Sequence, residues 1–545
     1  MCGLGARIGL LFSEGKAVFL FAGKKDFMKT LQTQNLSVTH KKDLRPIISG
    51  LSFTLGQGDR CAIIGEEGNG KSTLLKLIAD PDAAEAYVEM EGKIITGGAT
   101  IGYLKQELSE EEKQMEICGY FCSSEAFLDR TPRELADIAR ELSLPTDFFY
   151  EDRLMGSLSG GEKVKMQLAR LLCESPDILL MDEPSGDLDI EALRWLEGFI
   201  SGCSCPVLYV SHDEVLLERT ANMIIHLELL RRRTLPRCTV QRIGYREYVD
   251  RRLSALDHQR QMARDEKARF DAQQERLRQL KEKVNHSLNS ITRQDPHGGK
   301  MLKRKMHAVT SMEKRFQRES EQLTQMPDVE EAIMLDFAKS RLPDAKRVLD
   351  LTLDALYTPE NDLLSRDIRL TVTGGEKLFI VGRNGAGKST LLKQIASELL
   401  PRRDIRAVYM PQNYPDLLPL DKTPVEFLTK EGSRDEISEI RTFLGSVKYT
   451  PEEMEHRISD LSGGQKAKLL FIYMIRSGAD VLLLDEPTRN FSPMSGPVIR
   501  SILQRFDGAV ICVSHDRKLI GEVADRICTL TPQGLQPVDP DELMG

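Results

Sequence analysis

The chain has 545 residues and a net charge of −8, and 41% of its residues are hydrophobic. This composition predicts a folded protein of more than one domain, and an acidic average by itself argues against nucleic-acid binding. No apolar run reaches the ~18 residues that a membrane-spanning helix needs. The ten cysteines lack the spacing of a zinc or iron–sulfur site, so we expect reduced thiols and a cytoplasmic location.

The first residues stand apart from the remainder of the chain. Residues 1–27 have no counterpart in the second half, whereas Met28 leads into a strand-like segment at 36–38. We therefore expect Met28 to be the native start and residues 1–27 to be an N-terminal extension that is not native. The intact mass of protein expressed from its own promoter would test this hypothesis.

A glycine-rich loop between an apolar strand and a helix occurs once in each half. The loops read Gly-Glu-Glu-Gly-Asn-Gly-Lys-Ser-Thr at 65–73 and Gly-Arg-Asn-Gly-Ala-Gly-Lys-Ser-Thr at 382–390. Glycines let backbone amides turn toward phosphate groups, the lysine adds positive charge and the serine hydroxyl suits Mg²⁺. The predicted ATP-binding residues of these phosphate loops are Gly65, Gly68, Asn69, Gly70, Lys71, Ser72 and Thr73, and Gly382, Asn384, Gly385, Ala386, Gly387, Lys388, Ser389 and Thr390.

A second pair of motifs, Leu-Ser-Gly-Gly at 158–161 and 461–464, precedes a predicted helix in each half. We call them the first and second signatures. A serine and two glycines leave the helix N-terminus bare for an anion. The predicted ATP-binding residues here are Ser159, Gly160, Gly161 and Glu162, and Ser462, Gly463, Gly464 and Gln465.

Acidic and histidine residues follow at the ends of apolar strands. Asp182 and Asp485 suit the Mg²⁺ shell, and the adjoining Glu183 and Glu486 suit orienting or deprotonating the attacking water. In both halves 24 residues separate the signature serine from this glutamate, and a further 29 lead to a histidine, His212 or His515. The equal spacings indicate an internal repeat. Each histidine follows a strand, where it could touch the terminal phosphate.

This set of motifs resembles the ATP-binding-cassette family over about residues 30–240 and 345–540. The resemblance implies a head-to-tail sandwich with two ATP molecules, each held by one half's phosphate loop and the other half's signature. In that family a glutamine between the two motifs senses Mg²⁺ and the attacking water, and Gln106 and Gln412 match it. The implied catalytic residues are Glu183, Glu486, His212, His515, Gln106 and Gln412. The implied Mg²⁺-binding residues are Ser72, Gln106, Asp182, Ser389, Gln412 and Asp485.

The segment between the halves is rich in helix-forming residues, and helix breakers cluster only at 295–299. We predict a helical hairpin, with one helix to about Ser287 and a return from about Lys300 to Thr324. Residues 276–318 contain twelve Lys or Arg against three acids, which leaves −17 on the rest of the chain. Such a basic patch indicates contact with phosphate backbones. The predicted RNA-binding residues are Lys281, Lys283, His286, Asn289, Arg293, Lys300, Lys303, Arg304 and Lys305.

Two cassettes joined by a basic helical hairpin resemble the ABC-F family of translation factors. The predicted fold class is α/β, with two ABC-type P-loop ATPase domains joined by a long α-helical hairpin linker. The expected domains are an extension at 1–27, cassettes at 28–244 and 327–545, and the linker at 245–326. The resemblance implies ATP and Mg²⁺ as cofactors and a monomer without a membrane-spanning partner. It also implies the 70S ribosome as partner, through 23S rRNA and P-site tRNA.

Departures from the housekeeping pattern favour one branch of that family. The second half reads Asp-Glu-Pro-Thr-Arg-Asn-Phe-Ser-Pro at 485–493, with Ser492 where the first half has Asp189. The first half has no room for the large arm insertion of many housekeeping members. This form resembles the antibiotic-resistance branch, which protects ribosomes against lincosamides, streptogramin A and pleuromutilins. It implies entry into the tRNA exit site, displacement of P-site tRNA by the linker tip and release of the drug. Ser492 also predicts asymmetric hydrolysis.

Three other functions stay open at this point. A housekeeping ABC-F translation factor that relieves stalled ribosomes shares most of these features. A fused ATPase subunit of a membrane importer also carries two cassettes, but its linker is short. A chromosome-tethering or DNA-repair ATPase would need a far longer coiled coil or zinc cysteines.

Overall fold

The computed structural model describes residues 29–230, 235–290, 296–320, 342–343, 345–359 and 361–540. The hypothesis of a start at Met28 therefore lies outside the described residues, as does the predicted RNA contact Arg293. Two compact units divide the chain: residues 246–329 form one, and the flanking segments 1–245 and 330–545 together form the other.

Strands supply the frame of each cassette. Those of the first cassette are β1 (Leu31–His40), β2 (Pro46–Leu55), β3 (Arg60–Ile64), β4 (Val88–Ile95), β5 (Ile101–Leu104), β6 (Ile178–Asp182), β7 (Val207–Val210), β8 (Met223–Leu229) and β9 (Leu235–Gln241). Those of the second are β10 (Arg347–Tyr357), β11 (Leu363–Thr373), β12 (Lys377–Val381), β13 (Ala407–Met410), β14 (Val481–Asp485), β15 (Ala509–Val513), β16 (Arg526–Thr531) and β17 (Gly534–Pro537).

Helices cover these sheets and form the linker. The first cassette contains α1 (Lys71–Ala79), α2 (Pro81–Ala84), α3 (Glu110–Gln114), α4 (Ile117–Cys122), α5 (Glu125–Leu128), α6 (Pro132–Glu141), α7 (Gly160–Cys173), α8 (Ile190–Gly202) and α9 (Glu214–Thr220). The linker contains α10 (Tyr245–Ser290) and α11 (Pro296–Ser320). The second cassette contains α12 (Lys388–Leu399), α13 (Pro424–Leu428), α14 (Arg434–Ser446), α15 (Pro451–Glu455), α16 (Gly463–Ser477), α17 (Gly496–Arg505) and α18 (Arg517–Val523).

The two cassettes share one sheet topology. The six-stranded sheets have the orders β5-β6-β7-β3-β8-β9 and β13-β14-β15-β12-β16-β17. In each sheet five strands are parallel and the last, β9 or β17, is antiparallel. Because the carboxyl ends of parallel strands meet at one edge, the residues that follow β3, β6 and β7 lie together there. This edge carries the predicted ATP-binding and catalytic residues.

Each phosphate loop turns directly into the helix that packs on its sheet. Gly70 and Gly387 precede α1 and α12 with left-handed φ angles of 84° and 94°. A Cβ atom at Gly70 would lie 2.2 Å from Ile47 Cγ2, so both the backbone angle and the space require glycine. Behind the loop, α1 buries Leu74, Leu75 and Ile78 against the sheet. This packing holds the loop at the edge of the sheet.

The linker is a helical hairpin, as predicted. Within it, Phe270 and Phe316 meet edge to face at 6.1 Å between ring centroids, and Lys281 Nζ lies 2.6 Å from Glu313 Oε1. These pairs show that α10 and α11 run antiparallel. The apolar side chains of Leu277 and Val309 are buried in the same unit. At 1.5 Å per residue, the 46 residues of α10 extend about 70 Å.

The predicted ends of the hairpin helices need correction. The first helix continues to Ser290 rather than Ser287, and the second begins at Pro296 rather than Lys300. Proline is compatible with the first turn of a helix because its missing N–H has no intrahelical partner there. Gly298 and Gly299 lie within the helix, although glycine in a helix costs about 1 kcal/mol relative to alanine. In the described part of the chain, no helix combines the length and hydropathy that crossing a membrane requires.

Candidate functional site

The lysine of each phosphate loop lies inside the curve of its loop. Lys71 Nζ donates to the carbonyl oxygens of Gly65 and Glu66 at 2.9 and 3.1 Å, and Lys388 Nζ makes the equivalent bonds to Gly382 and Arg383. Both lysines are buried. Burial lowers the pKa of Lys388, opposed by the acids around it. A buried ammonium group among turned backbone amides suits the phosphates of a nucleotide.

A serine hydroxyl and an aspartate meet beside each loop. Ser72 Oγ lies 2.9 Å from Asp182 Oδ1, and Ser389 Oγ lies 3.1 Å from Asp485 Oδ1. Burial raises the pKa of both aspartates, although the serine hydrogen bonds act against it. Hard oxygen donors converging on one point fit Mg²⁺. When bound, this ion would neutralise charge on the phosphate groups.

Glu183 and Glu486 follow their strands with left-handed φ angles of 51° and 50°. Such angles cost a non-glycine residue about 1–3 kcal/mol and persist where the surrounding structure enforces them, commonly at functional sites. The same strain at equivalent positions of the repeat indicates that the direction of each carboxylate is held by the fold.

The surroundings of Glu183 favour its ionised form. Gln106 Nε2 donates to Glu183 Oε2 at 2.9 Å, and His212 Nε2 lies 3.3 Å from Glu183 Oε1. Burial acts to raise the pKa of Glu183, but the His212 hydrogen bond and the charges of His212, Lys71 and Arg489 together lower it. A carboxylate in this state can accept a proton from water at neutral pH.

The surroundings of Glu486 differ. Its Oε2 accepts from the His515 backbone N–H at 3.3 Å, while His515 Nε2 is 3.8 Å from Oε1. Gln412 is exposed, and in the described part of the chain no hydrogen bond joins it to Glu486. Burial raises the pKa of Glu486 to about 8 and lowers that of His515 to about 3. The structure thus places the predicted glutamine beside Glu183 in the first cassette but not beside Glu486 in the second.

Both signatures begin helices with the same cap. The Ser159 and Ser462 side chains accept from the backbone N–H of Glu162 and Gln465, whose side chains return a bond to the serine N–H. These capping boxes fix the first turns of α7 and α16. Gly464 and Gln465 are buried, whereas Ser159 is exposed.

The first phosphate loop lies against the second signature, and we call this arrangement site 1. Glu67 Oε2 accepts from the Gly464 N–H at 2.6 Å, and Lys468 Nζ lies 2.5 Å from Glu66 Oε1. His212 Nδ1 donates to the Phe491 carbonyl oxygen at 2.7 Å. Sequence reasoning missed Glu66, Glu67 and Lys468. The two glutamates could have been noticed in the sequence, because the second loop has arginine and asparagine at the equivalent positions.

The second phosphate loop lies against the first cassette at site 2. The Asn384 N–H donates to Asp189 Oδ2 at 3.4 Å, and the Asn384 side chain donates to the Asp187 carbonyl oxygen. Arg489 joins the two sites through an ion pair of 2.7 Å with Asp187. In the described residues, the buried His515 Nδ1 makes no bond equivalent to that between His212 and Phe491. The two sites therefore differ in the contact that the histidine makes.

The linker exposes part of the predicted RNA-binding set. Lys283, His286, Arg304 and Lys305 are exposed, and in the described chain none of them forms an ion pair. Lys281 pairs with Glu313. The side chains of Asn289, Lys300 and Lys303 are not among those described.

Comparisons with known proteins agree with the sheet topology and the repeated motifs. A family model described as ABC transporter matches residues 48–186 and 365–489. The chain is 30% identical over 550 residues to the tylosin resistance ATP-binding protein TlrC of Streptomyces fradiae, with 90% of this chain and 96% of that protein covered. It is 25% identical over 536 residues to ABC transporter F family member 2 of Arabidopsis thaliana, with 90% and 75% covered.

A solved structure shows the same fold. The archaeal ribosome recycling factor aABCE1, in complex with the stalk protein aP1, superposes with a TM-score of 0.57 at 18% identity and covers 94% of this chain and 91% of its own. At this identity the likeness concerns the fold alone. Domains of this type bind ATP, usually with Mg²⁺, and hydrolyse it. From the matches that span both cassettes, the chain belongs to the ABC-F family of tandem ATP-binding-cassette ATPases.

Proposed function

We propose that this ATPase protects ribosomes against antibiotics. In this proposal it enters the tRNA exit site of the 70S ribosome in the cytoplasm, and its linker tip displaces P-site tRNA and dislodges a drug bound near the peptidyl-transferase centre. The likeness to a tylosin resistance protein, over 96% of that protein's length, carries the proposal. Exposed basic residues on the hairpin support it, since RNA binding rests on phosphate contacts.

The residue roles belong to the same proposal. Glu183 and Glu486 orient or deprotonate the attacking water, and His212 and His515 contact the terminal phosphate. Lys71 and Lys388 bind phosphates, while Ser72 with Asp182 and Ser389 with Asp485 would hold Mg²⁺. ATP closes the cassettes at 28–244 and 327–545, and hydrolysis reopens them so that the protein leaves the ribosome.

Drug susceptibility tests this proposal. Minimum inhibitory concentrations of lincomycin, virginiamycin M, tiamulin and tylosin would be measured in a sensitive Gram-positive host that expresses wild type or Glu183→Gln/Glu486→Gln. We expect wild type alone to raise at least one of these concentrations several-fold. The double variant should co-sediment with ribosomes in ATP, because it closes and cannot hydrolyse.

Two results would contradict the proposal in different ways. If wild type raises none of the four concentrations while the double variant stays on ribosomes and arrests growth, the chain is a housekeeping translation factor. Absence of both proteins from the ribosome fraction would exclude either role.

A further inference from the structure

Two glutamates of the first phosphate loop are seated on the second signature helix. The Glu67 carboxylate accepts from the Gly464 N–H, and a Cβ atom at Gly463 would lie 3.2 Å from both carboxylate oxygens. The carboxylate therefore rests on the bare first turn of α16, a helix of 15 residues. Glu66 and Lys468 form an ion pair in which both side chains are more than 90% buried. Two charged contacts thus join the first phosphate loop to α16.

Among the described residues, neither contact has an equivalent at site 2. The residues equivalent to Glu66 and Glu67 are Arg383, which pairs with Glu191 at 3.2 Å, and Asn384, which bonds to the 187–189 segment. The lysine equivalent to Lys468 is Lys165, and it lies 4.7 Å from the Trp195 ring instead of on an acid. The acidic contacts therefore do not follow from the cassette fold itself, because the second loop, in the same fold, does without them.

We propose that Glu67 occupies the anion position of the second signature before nucleotide binds, and that ATP must displace it. The N-terminus of a helix attracts one negative group through its free amides and its dipole. A terminal phosphate between the first loop and α16 requires the same Gly464 amide that Glu67 now holds. Glu67 is therefore a positioning residue that closes site 1 without nucleotide and weakens its affinity for ATP. The inference rests on the site assignment proposed above and not on the ribosomal role.

A serine at position 492 is compatible with a carboxylate at position 67. Ser492 lines the same cavity as Glu66, Glu67 and Lys468, and it is the equivalent of Asp189 at site 2. At site 2, Asp189 Oδ2 accepts from the Asn384 backbone N–H. An aspartate at 492 would instead put a third carboxylate beside Glu67. The loop residue and the residue that faces it are thus Asn384 and Asp189 at site 2, and Glu67 and Ser492 at site 1.

The test compares the full chain with Glu67→Ala, and with Glu67→Gln, which keeps the shape and removes the charge. Hydrogen–deuterium exchange of the nucleotide-free proteins would be followed in peptides covering Ser462–Lys468. We expect exchange at the start of α16 to be about tenfold faster in Glu67→Ala, because a charge-assisted hydrogen bond is lost. Asn384→Ala is the matched control, and it should leave this peptide unchanged.

Nucleotide affinity supplies a readout that a purely structural role would not move. In a Lys388→Ala background, which confines binding to site 1, the dissociation constants of ATP and ADP with Mg²⁺ would be measured by calorimetry. We expect Glu67→Ala to tighten ATP binding about tenfold and Glu67→Gln by a smaller factor. ADP binding should change little, since ADP has no terminal phosphate to compete for the Gly464 amide.

The outcomes separate the inference from the site assignment. Unchanged exchange together with an unchanged ratio of ATP to ADP affinity would overturn the role of Glu67 alone. Failure of the chain with intact Glu67 to bind ATP in the Lys388→Ala background would overturn the assignment of site 1, and the inference with it.

Discussion

Glu183 and Glu486 occupy the same position of the repeat but titrate differently. Hydrogen bonding to His212 and nearby positive charge lower the pKa of Glu183, whereas burial raises that of Glu486 to about 8. A general base acts when deprotonated, and the deprotonated fraction rises as the pH passes the pKa. If Glu486 is the base of site 2, as proposed, it is mostly protonated at pH 7 and mostly ionised only above pH 8.

This difference predicts two pH profiles for ATP hydrolysis. In Glu183→Gln, where site 2 alone retains its base, we expect the rate to rise several-fold between pH 7 and 9. In Glu486→Gln, where site 1 remains, the rate should be nearly flat over that range. Steady-state phosphate release at saturating ATP measures both. Identical profiles would show that the two carboxylates titrate alike in the working enzyme.

Ser492→Asp tests whether Glu67 and the residue that faces it at position 492 interact. We expect the added carboxylate to repel Glu67 in a buried place and to lower the free energy of unfolding by about 2 kcal/mol. Combined with Glu67→Asn, which copies the pairing at site 2, most of this loss should return. Urea unfolding of the four proteins gives the interaction energy. Additive effects of the two substitutions would mean that the residues do not interact.

The sequence predicts Glu183, Glu486, His212 and His515 as catalytic residues, because each follows an apolar strand at the same spacing in both halves. Their differences were not predictable in this way. Gln106 and Gln412 match the same family position, yet the structure brings Gln106 alone to its glutamate. Each glutamine and its glutamate belong to one cassette, so the difference arises from tertiary packing within that cassette, and a local motif contains no information about that.

Helices of the two cassettes meet through buried ion pairs. Arg517, at the start of α18, is fully buried and pairs with Glu197 on α8 and with Asp213 before α9. Arg500 on α17 contacts Glu214 on α9 at 2.5 Å. Removing one member of a buried pair costs more than the pair contributes, because its partner remains charged without compensation.

Arg517→Met should therefore lower the free energy of unfolding by about 3–5 kcal/mol. The matched control is Arg219→Met. Arg219 contacts the same Glu197 at 2.9 Å, but its side chain is 40% exposed, and its loss should cost less than about 1 kcal/mol. Denaturant unfolding of both variants measures the difference. Equal losses would indicate that burial does not govern these pairs.

At the level of elements, composition was sufficient to predict the hairpin but not its ends. The glycines at 298 and 299 indicated a turn, yet they lie inside α11. Helix propensity depends on neighbouring residues in the sequence, whereas Phe316 and Glu313 contact residues of α10 that are distant in the sequence. The pairing of the two helices is therefore not contained in a local preference.

For the whole molecule, the proposed RNA partner predicts a dependence on salt. Lys283→Ala/Arg304→Ala/Lys305→Ala removes three exposed positive charges from the hairpin. If each contacts a phosphate, the slope of log affinity for ribosomes against log salt should fall by about 2–3. Co-sedimentation of Glu183→Gln/Glu486→Gln with ribosomes at several salt concentrations measures the slope.

The matched control for this prediction removes three exposed positive charges elsewhere on the hairpin. Arg264→Ala/Lys267→Ala/Arg269→Ala lies nearer the start of α10, outside the basic segment 276–318. We expect it to leave the slope unchanged. A similar decrease with both triple variants would indicate that binding depends on total charge and not on the tip.

The buried ion pairs between the cassettes also determine which halves can associate. Glu197 and Arg500 each stand eight residues after the equivalent positions 189 and 492, and Glu214 and Arg517 each stand two residues after the repeat's histidine. Both glutamates of the first half thus have an arginine as their equivalent in the second half. Glu197 pairs with Arg517, the equivalent of Glu214, and Glu214 pairs with Arg500, the equivalent of Glu197. Two first halves together would bury four glutamates, and two second halves four arginines. The chain thereby excludes self-association of either half and selects the unlike half as its companion.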